Sequence, residues 1–241
     1  MMKSCLSDLT APFQRSHSRS GALSLRMVLL CVVVSLVGSN PSFAAPMQRT
    51  VADCAEIVRD FSRIPERSIP PRVLRNAGGI AVIRVLKGGF VVSGRVGEGV
   101  VIARLPGGGW SGPSAIATGG AGFGFQVGGK VTEFVIILNT QAAVDAFARG
   151  GNVEFGGALS VAAGPVGRTA EAGVLPVAAV YTYSRSQGLF AGASLEGTIL
   201  VAQTDKNARY YGRPVTPEQI LRGQVVPPPS AAPLIAALRR Y

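Results

Sequence analysis

Ile80–Leu105 reads IAVIRVLKGGFVVSGRVGEGVVIARL, and the reading of this stretch decides the fold. Ile80–Leu86, Phe90–Arg95 and Val100–Leu105 are apolar and β-branched, the composition of strands. Lys87–Gly89 and Gly97–Gly99 separate them and read as tight turns. Further out, Pro106–Gly109 is a turn, and Ala115–Lys130 is glycine-rich with Phe123, Phe125 and Val127 alternating as on one face of a strand. Thr132–Leu138 is a buried strand by composition, and Asn152–Ala163, Val177–Ser184 and Leu189–Ala202 read as further strands.

Helical signals sit at the two ends and once in the middle. In Thr50–Arg63 the residues Val51, Cys54, Ala55, Val58 and Phe61 fall on one face. Asp53, Glu56, Arg59, Asp60 and Arg63 fall on the other, and Thr50 is placed to cap the start. Pro70 and Pro71 start a short helix through Asn76. Thr140–Arg149 is the central helix, capped by Thr140 and stopped by Gly150 and Gly151. Thr216–Arg222 is a short helix with Pro217 first, and Pro233–Arg240 is a last amphipathic turn or two. Lys206, Arg209 and Arg213 around Tyr210 and Tyr211 read as a loop packed by its tyrosines. The expected class is α+β: one β-rich domain of largely antiparallel strands, with N-terminal helices, one central helix and short C-terminal helices.

Hydrophobic residues make up 47% of the 241, and charged residues 15%, which excludes a disordered chain. The 31 glycines follow no three-residue period, which excludes collagen. Lys3, Arg15, Arg19 and Arg26 precede the apolar run Met27–Val37, and small residues follow at Ser42, Ala44 and Ala45. That order reads as a targeting segment over residues 1–45. The expected organisation is that segment, a domain over 46–225 and a proline-rich tail over 226–241. Export or organelle targeting with peripheral membrane association is the expected localisation; a retained N-terminus gives the cytoplasmic alternative.

Loss of residues 1–45 would remove the lone histidine, His17, and leave Cys54 as the one cysteine. A chain without histidine runs no Ser-His-Asp or Cys-His mechanism and builds none of the usual zinc sites. The acids lie singly along the sequence, so the expectation is a non-enzyme with no cofactor and no metal. Gly120–Gly129 (GAGFGFQVGG) lacks the following helix of a dinucleotide loop. The net charge is +11, and it falls to +8 without the four basic residues and Asp8 of the first 45. A positive balance favours anionic partners.

Two more stretches carry a resemblance: Trp110–Ile116 (WSGPSAI) and Tyr183–Gly197 (YSRSQGLFAGASLEG). With Ala77–Arg84 (AGGIAVIR), Gly97–Leu105 (GEGVVIARL), Gly164–Arg168 (GPVGR), Tyr210–Gly212 (YYG) and Ile220–Gly223 in order, the chain resembles the SYLF family. The resemblance covers nearly all of residues 50–225. It implies binding of phosphoinositide-containing membranes and, in some members, of actin filaments. It implies a lipid-binding role for the N-terminal helical region, here Thr50–Asn76. WSGPSAI and YSRSQGLFAGASLEG are expected to set turns and pack the sheet, not to touch the ligand.

Guanidinium groups pair bidentately with phosphate. The candidate lipid-binding residues are therefore Arg59, Arg63, Arg67, Arg72 and Arg75, where Arg63–Arg75 holds a single acid, Glu66. The first expected partner is anionic phospholipid. The alternatives are actin or another acidic protein bound by the same surface, or an envelope protein holding an acyl chain. No nucleic acid is expected, because no nucleic-acid module accompanies the basic residues.

Overall fold

A computed structural model describes residues 46–61, 63, 69–155, 159–164, 178–188 and 198–240. The element order is α1 (Met47–Phe61), α2 (Pro71–Asn76), β1 (Gly79–Ala103), β2 (Ser114–Leu138), α3 (Gln141–Ala148), β3 (Asn152–Glu154), β4 (Val161–Ala163), β5 (Val180–Gly188), β6 (Ile199–Ala202), α4 (Thr204–Tyr211), α5 (Pro217–Leu221), a 3-10 turn (Pro229–Ala231) and α6 (Ala232–Leu238). One sheet runs β3-β6-β2-β5-β4, with β1 beside β2. Among the described strands every pairing is antiparallel except β4 with β5, and an isolated bridge joins Phe155 and Leu159 in parallel. This is the expected α+β class.

The stretch expected to form three strands is a single strand of 25 residues, paired along its length with a second of 25. The glycines bend this ribbon instead of ending it. Gly88 pairs with Gly129 and Gly89 with Gly128, so the ladder continues through the bend, with one irregularity between Phe90 and Val92. Past the bend, β1 returns alongside itself. A Cβ on Gly99 would lie 2.0 Å from the Val82 carbonyl oxygen, and one on Gly97 would lie 2.8 Å from Val85 Cγ2. Glycine is required there because the backbone approaches too closely for a side chain.

Strand alternation then sorts the side chains into two cores. Ile80, Val82, Val100, Ile102, Val135 and Ile137 face α1, α4 and α6. Ala81, Ile83, Val101, Ala103, Phe134, Ile136 and Leu138 form the second core with Val144 and Phe147 of α3.

Helix α1 buries the expected stripe of Val51, Cys54, Ala55, Val58 and Phe61, together with Ile57. Each large apolar side chain contributes about 1.5–3 kcal/mol of gross transfer energy. The helix starts three residues earlier than expected, where the Pro46 carbonyl accepts from the Arg49 and Thr50 amides. Thr50 is thus a buried position inside the helix, not its cap. The central helix keeps its expected cap: Thr140 Oγ1 accepts from the Ala143 amide at 3.2 Å. Thr216 and Gln219 close a reciprocal capping box on α5. The tyrosine-rich segment expected as a loop is helix α4, ended by Gly212 at φ 69°.

The WSGPSAI segment joins the sheet to the C-terminal helices. Trp110 Nε1 donates to the Leu238 carbonyl at 3.3 Å. Tyr211 Oη donates to the Pro113 carbonyl at 3.0 Å, and a Cβ on Gly112 would lie 2.2 Å from that hydroxyl. Asn207, fully buried on α4, accepts from the Ala115 amide at 2.7 Å and donates to Ser114 Oγ. Leu234, Ala237 and Leu238 of α6 lie in the same core as α1. The proline-rich C-terminal segment is therefore packed against α1.

Candidate functional site

Helix α2 presents two of the expected arginines, Arg72 and Arg75, both exposed. Pro71 starts it, the Pro70 carbonyl accepts from the Val73 and Leu74 amides, and Val73 and Leu74 anchor its buried side. Arg104 finishes it: its guanidinium donates to the Leu74 carbonyl at 3.1 Å and the Ala77 carbonyl at 3.4 Å. The same guanidinium stacks 4.2 Å from the Trp110 ring centroid. With its ends held this way, α2 turns Arg72 and Arg75 outward, where both are exposed. Among the described residues neither forms an ion pair.

The other expected arginines are not gathered onto that helix. Arg59 is half-buried on α1. Arg63 is exposed just past α1, with Nη1 3.5 Å from Asp60 Oδ1. Arg67 lies outside the described residues. Arg72 and Arg75 share one helix, Arg59 lies on another, and Arg63 lies in the turn after it.

An ionic cluster beneath α1 went unseen in the sequence. Arg84 of β1, Glu133 of β2 and Arg185 of β5 are direct cross-strand neighbours in one row. Arg84 donates to Glu133 Oε1 from Nε at 3.2 Å and Nη2 at 3.0 Å, while Nη1 reaches Asp53 Oδ2 at 3.2 Å. Arg185 donates from Nε to Glu133 Oε2 at 3.0 Å and from Nη2 to Asp60 Oδ2 at 3.0 Å. The Glu133 side chain is only 9% exposed. Burial alone would lower the Arg185 pKa, but its bonds to Glu133 and Asp60 outweigh that and raise it. Asp53 and Asp60 are two helical turns apart on α1, so the cluster clamps that helix to the sheet. The polar face read on α1 is in part this contact, which engages both Asp53 and Asp60.

Cys54 is buried, with its Sγ 3.5 Å from the Val82 carbonyl oxygen. Burial pushes its pKa up to about 12, which makes it a poor nucleophile. Among the described residues no group of three or more His, Cys, Asp or Glu could hold a metal ion. Nor, among them, is any helix long and apolar enough to cross a membrane. Residues 1–45, read as a targeting segment, and 189–197, the second half of the YSRSQGLFAGASLEG stretch, lie outside the described residues.

The family described as "Las17-binding protein actin regulator" (Ysc84) matches residues 119–241. LAS seventeen-binding protein 3 of Saccharomyces cerevisiae is 50% identical over 211 residues, covering 84% of this chain and 46% of that protein. SH3 domain-containing protein PJ696.02 of Schizosaccharomyces pombe is 52% identical over 174 residues, 70% of this chain and 40% of its own length. SH3 domain-containing YSC84-like protein 1 of Xenopus laevis is 47% identical over 195 residues, 78% and 58% respectively. The chain thus spans about half the length of the curated relatives it matches. These likenesses correct the expectation of an exported or organelle-targeted protein in peripheral membrane association. The relatives are proteins of an actin-regulator family, and actin is a polymer of the cell interior. A family match over half the chain and the SYLF motifs in their order lead to one conclusion: this chain belongs to the Ysc84 (SYLF) family of actin regulators.

Proposed function

We propose that this domain is a non-catalytic binding module of actin regulation, which engages an acidic protein surface, either a Las17-type regulator or actin itself. The observation that carries this reading is the 50% identity with LAS seventeen-binding protein 3 across 84% of the chain. The positive net charge fits an acidic partner, and the exposed pair Arg72 and Arg75 offers a place for it to dock. Co-sedimentation of the chain with actin filaments, alone and with a Las17-type protein, tests the reading. Binding that weakens with added salt and falls about tenfold in the R72E/R75E double variant supports it. Failure to pellet with filaments and to bind the regulator would refute it.

A second reading keeps the anionic membrane surface as the ligand, with Arg59, Arg63, Arg67, Arg72 and Arg75 as its contacts. The observation in its favour is that Arg72 and Arg75 are exposed on one short helix with no carboxylate of their own helix beside them. Vesicle flotation distinguishes it: binding to phosphoinositide-containing vesicles without filament binding selects the membrane.

A further inference from the structure

We infer, on the acidic-partner reading proposed above, that the C-terminal ends of α2 and α6 form one composite basic face. In it Arg239 and Arg240 extend the surface of Arg72 and Arg75, and the face takes an acidic polypeptide segment that runs across both helices. The pair Arg104 and Trp110 joins the two helix ends. The turn between these residues is tight: the Leu105 amide donates to the Gly109 carbonyl at 3.1 Å, and the Gly108 amide donates to the Leu105 carbonyl at 2.9 Å. Gly108 and Gly109 make that turn with φ of 87° and 79°. Arg104 and Trp110 are thereby set opposite each other as an antiparallel bridge, with the guanidinium 4.2 Å from the ring centroid. Each member of this stack holds a helix end. Arg104 donates to the Leu74 and Ala77 carbonyls at the end of α2. Trp110, only 6% exposed, donates from Nε1 to the carbonyl of Leu238, the last residue of α6.

Arg75 directly follows Leu74, and Arg239 directly follows Leu238, so the one stack brings both arginines to its edge. Arg72 stands three residues before Arg75 on the same helical face, and Arg240 follows Arg239. All four are exposed, while Val73, Leu74, Leu234 and Leu238 anchor the inner sides of the two helices. A helix C-terminus carries partial negative charge, which by itself repels an anion. Here Arg104 engages two of the terminal carbonyls and Trp110 a third, and Arg104 adds a full positive charge. Neither Pro70–Asn76 nor Pro229–Arg240 contains an aspartate or glutamate. Two arginine pairs on separate helices suit carboxylates at several places along one chain better than the oxygens of one phosphate. A segment that reaches both pairs makes its second contact as an intramolecular event.

The test titrates the full chain with a fluorescein-labelled peptide of about ten glutamates, which spans about 33 Å when extended, and with triglutamate bearing the same label. The longer peptide is expected to bind one to one and about tenfold or more tightly than the shorter. R239E/R240E and R72E/R75E each weaken it about tenfold, and added salt weakens it further. R149E, which reverses an exposed arginine at the end of α3, binds as the parent does. No saturable binding overturns the face, as does equal affinity for the two peptides, parental binding by either double variant, or a tenfold loss in R149E. Flotation with phosphatidylcholine vesicles containing phosphatidic acid, without peptide binding, overturns it in favour of a membrane. Filament binding that R72E/R75E weakens and R239E/R240E does not strikes this face alone and leaves the proposed function standing. Peptide binding without filament or regulator binding does the reverse. The substituted arginines are all exposed, and circular dichroism confirms that each variant is folded before it is counted.

Discussion

Glu133 neutralises two guanidinium groups at once, and its own position in the middle of a sheet row leaves it little access to water. Removing one charge from such a group strands its partners. We expect Glu133→Gln to destabilise the protein by about 3 kcal/mol, measured as a shift in the urea midpoint. A double-mutant cycle with Arg84→Met should show strong coupling; additive losses would mean that the row is not an energetic unit. Gly99 is constrained differently. Even the smallest side chain there would meet the Val82 carbonyl oxygen at 2.0 Å, and backbone cannot swing aside as a flexible side chain can. Gly99→Ala is expected to cost about 3 kcal/mol or more, while Gly107→Ala, where a Cβ meets nothing within 4 Å, should be close to neutral by thermal melt.

Helix α6 shows what packing of elements contributes. Leu234 is 1% exposed and sits in the core that α1 shares. Leu234→Ala is expected to destabilise by about 3 kcal/mol and to raise amide exchange in α1 as well as in α6, read by hydrogen exchange. Protection lost in α6 alone would show that the two helices are not coupled. Elements with a local cause could be read from the chain. The apolar stripe of α1 follows a 3.6-residue period, and the caps of α3 and α5 follow from Thr140 and Thr216. The long strands could not be read, because glycines that bend a ribbon have the same local signature as glycines that end a strand. The ionic cluster was hidden for another reason. Arg84, Glu133 and Arg185 are 49 and 52 residues apart, and only the register of three strands brings them together. Of the candidate surface, the short helix that carries Arg72 and Arg75 was legible in Pro70 and Pro71. Arg104, which closes that helix from another element, was not.

At the scale of the whole molecule, burial of weak acids sets an alkaline limit. Burial raises the pKa of Cys54 to about 12, and it raises those of Tyr183, Tyr210 and Tyr211 above the ordinary phenol value. In the unfolded chain a thiol ionises near pH 8.5 and a phenol near pH 10. The folded state therefore holds protons that the unfolded state releases. Stability is fully present below those unfolded values and is lost as pH rises toward the folded ones. The urea midpoint is expected to decline from about pH 9 upward; a flat profile to about pH 11 would contradict it.

The contact between α1 and α6 also has a temporal meaning. About 170 residues separate the end of α1 at Phe61 from the start of α6 at Ala232. At about 5–20 residues per second, the ribosome needs on the order of ten seconds to bridge that gap. Throughout that interval the apolar stripe of α1 has emerged without one of the surfaces that will cover it. Helix α1, made early, is thus among the last elements to be fully enclosed, and a nascent chain that stalls before Ala232 exposes a surface open to chaperones.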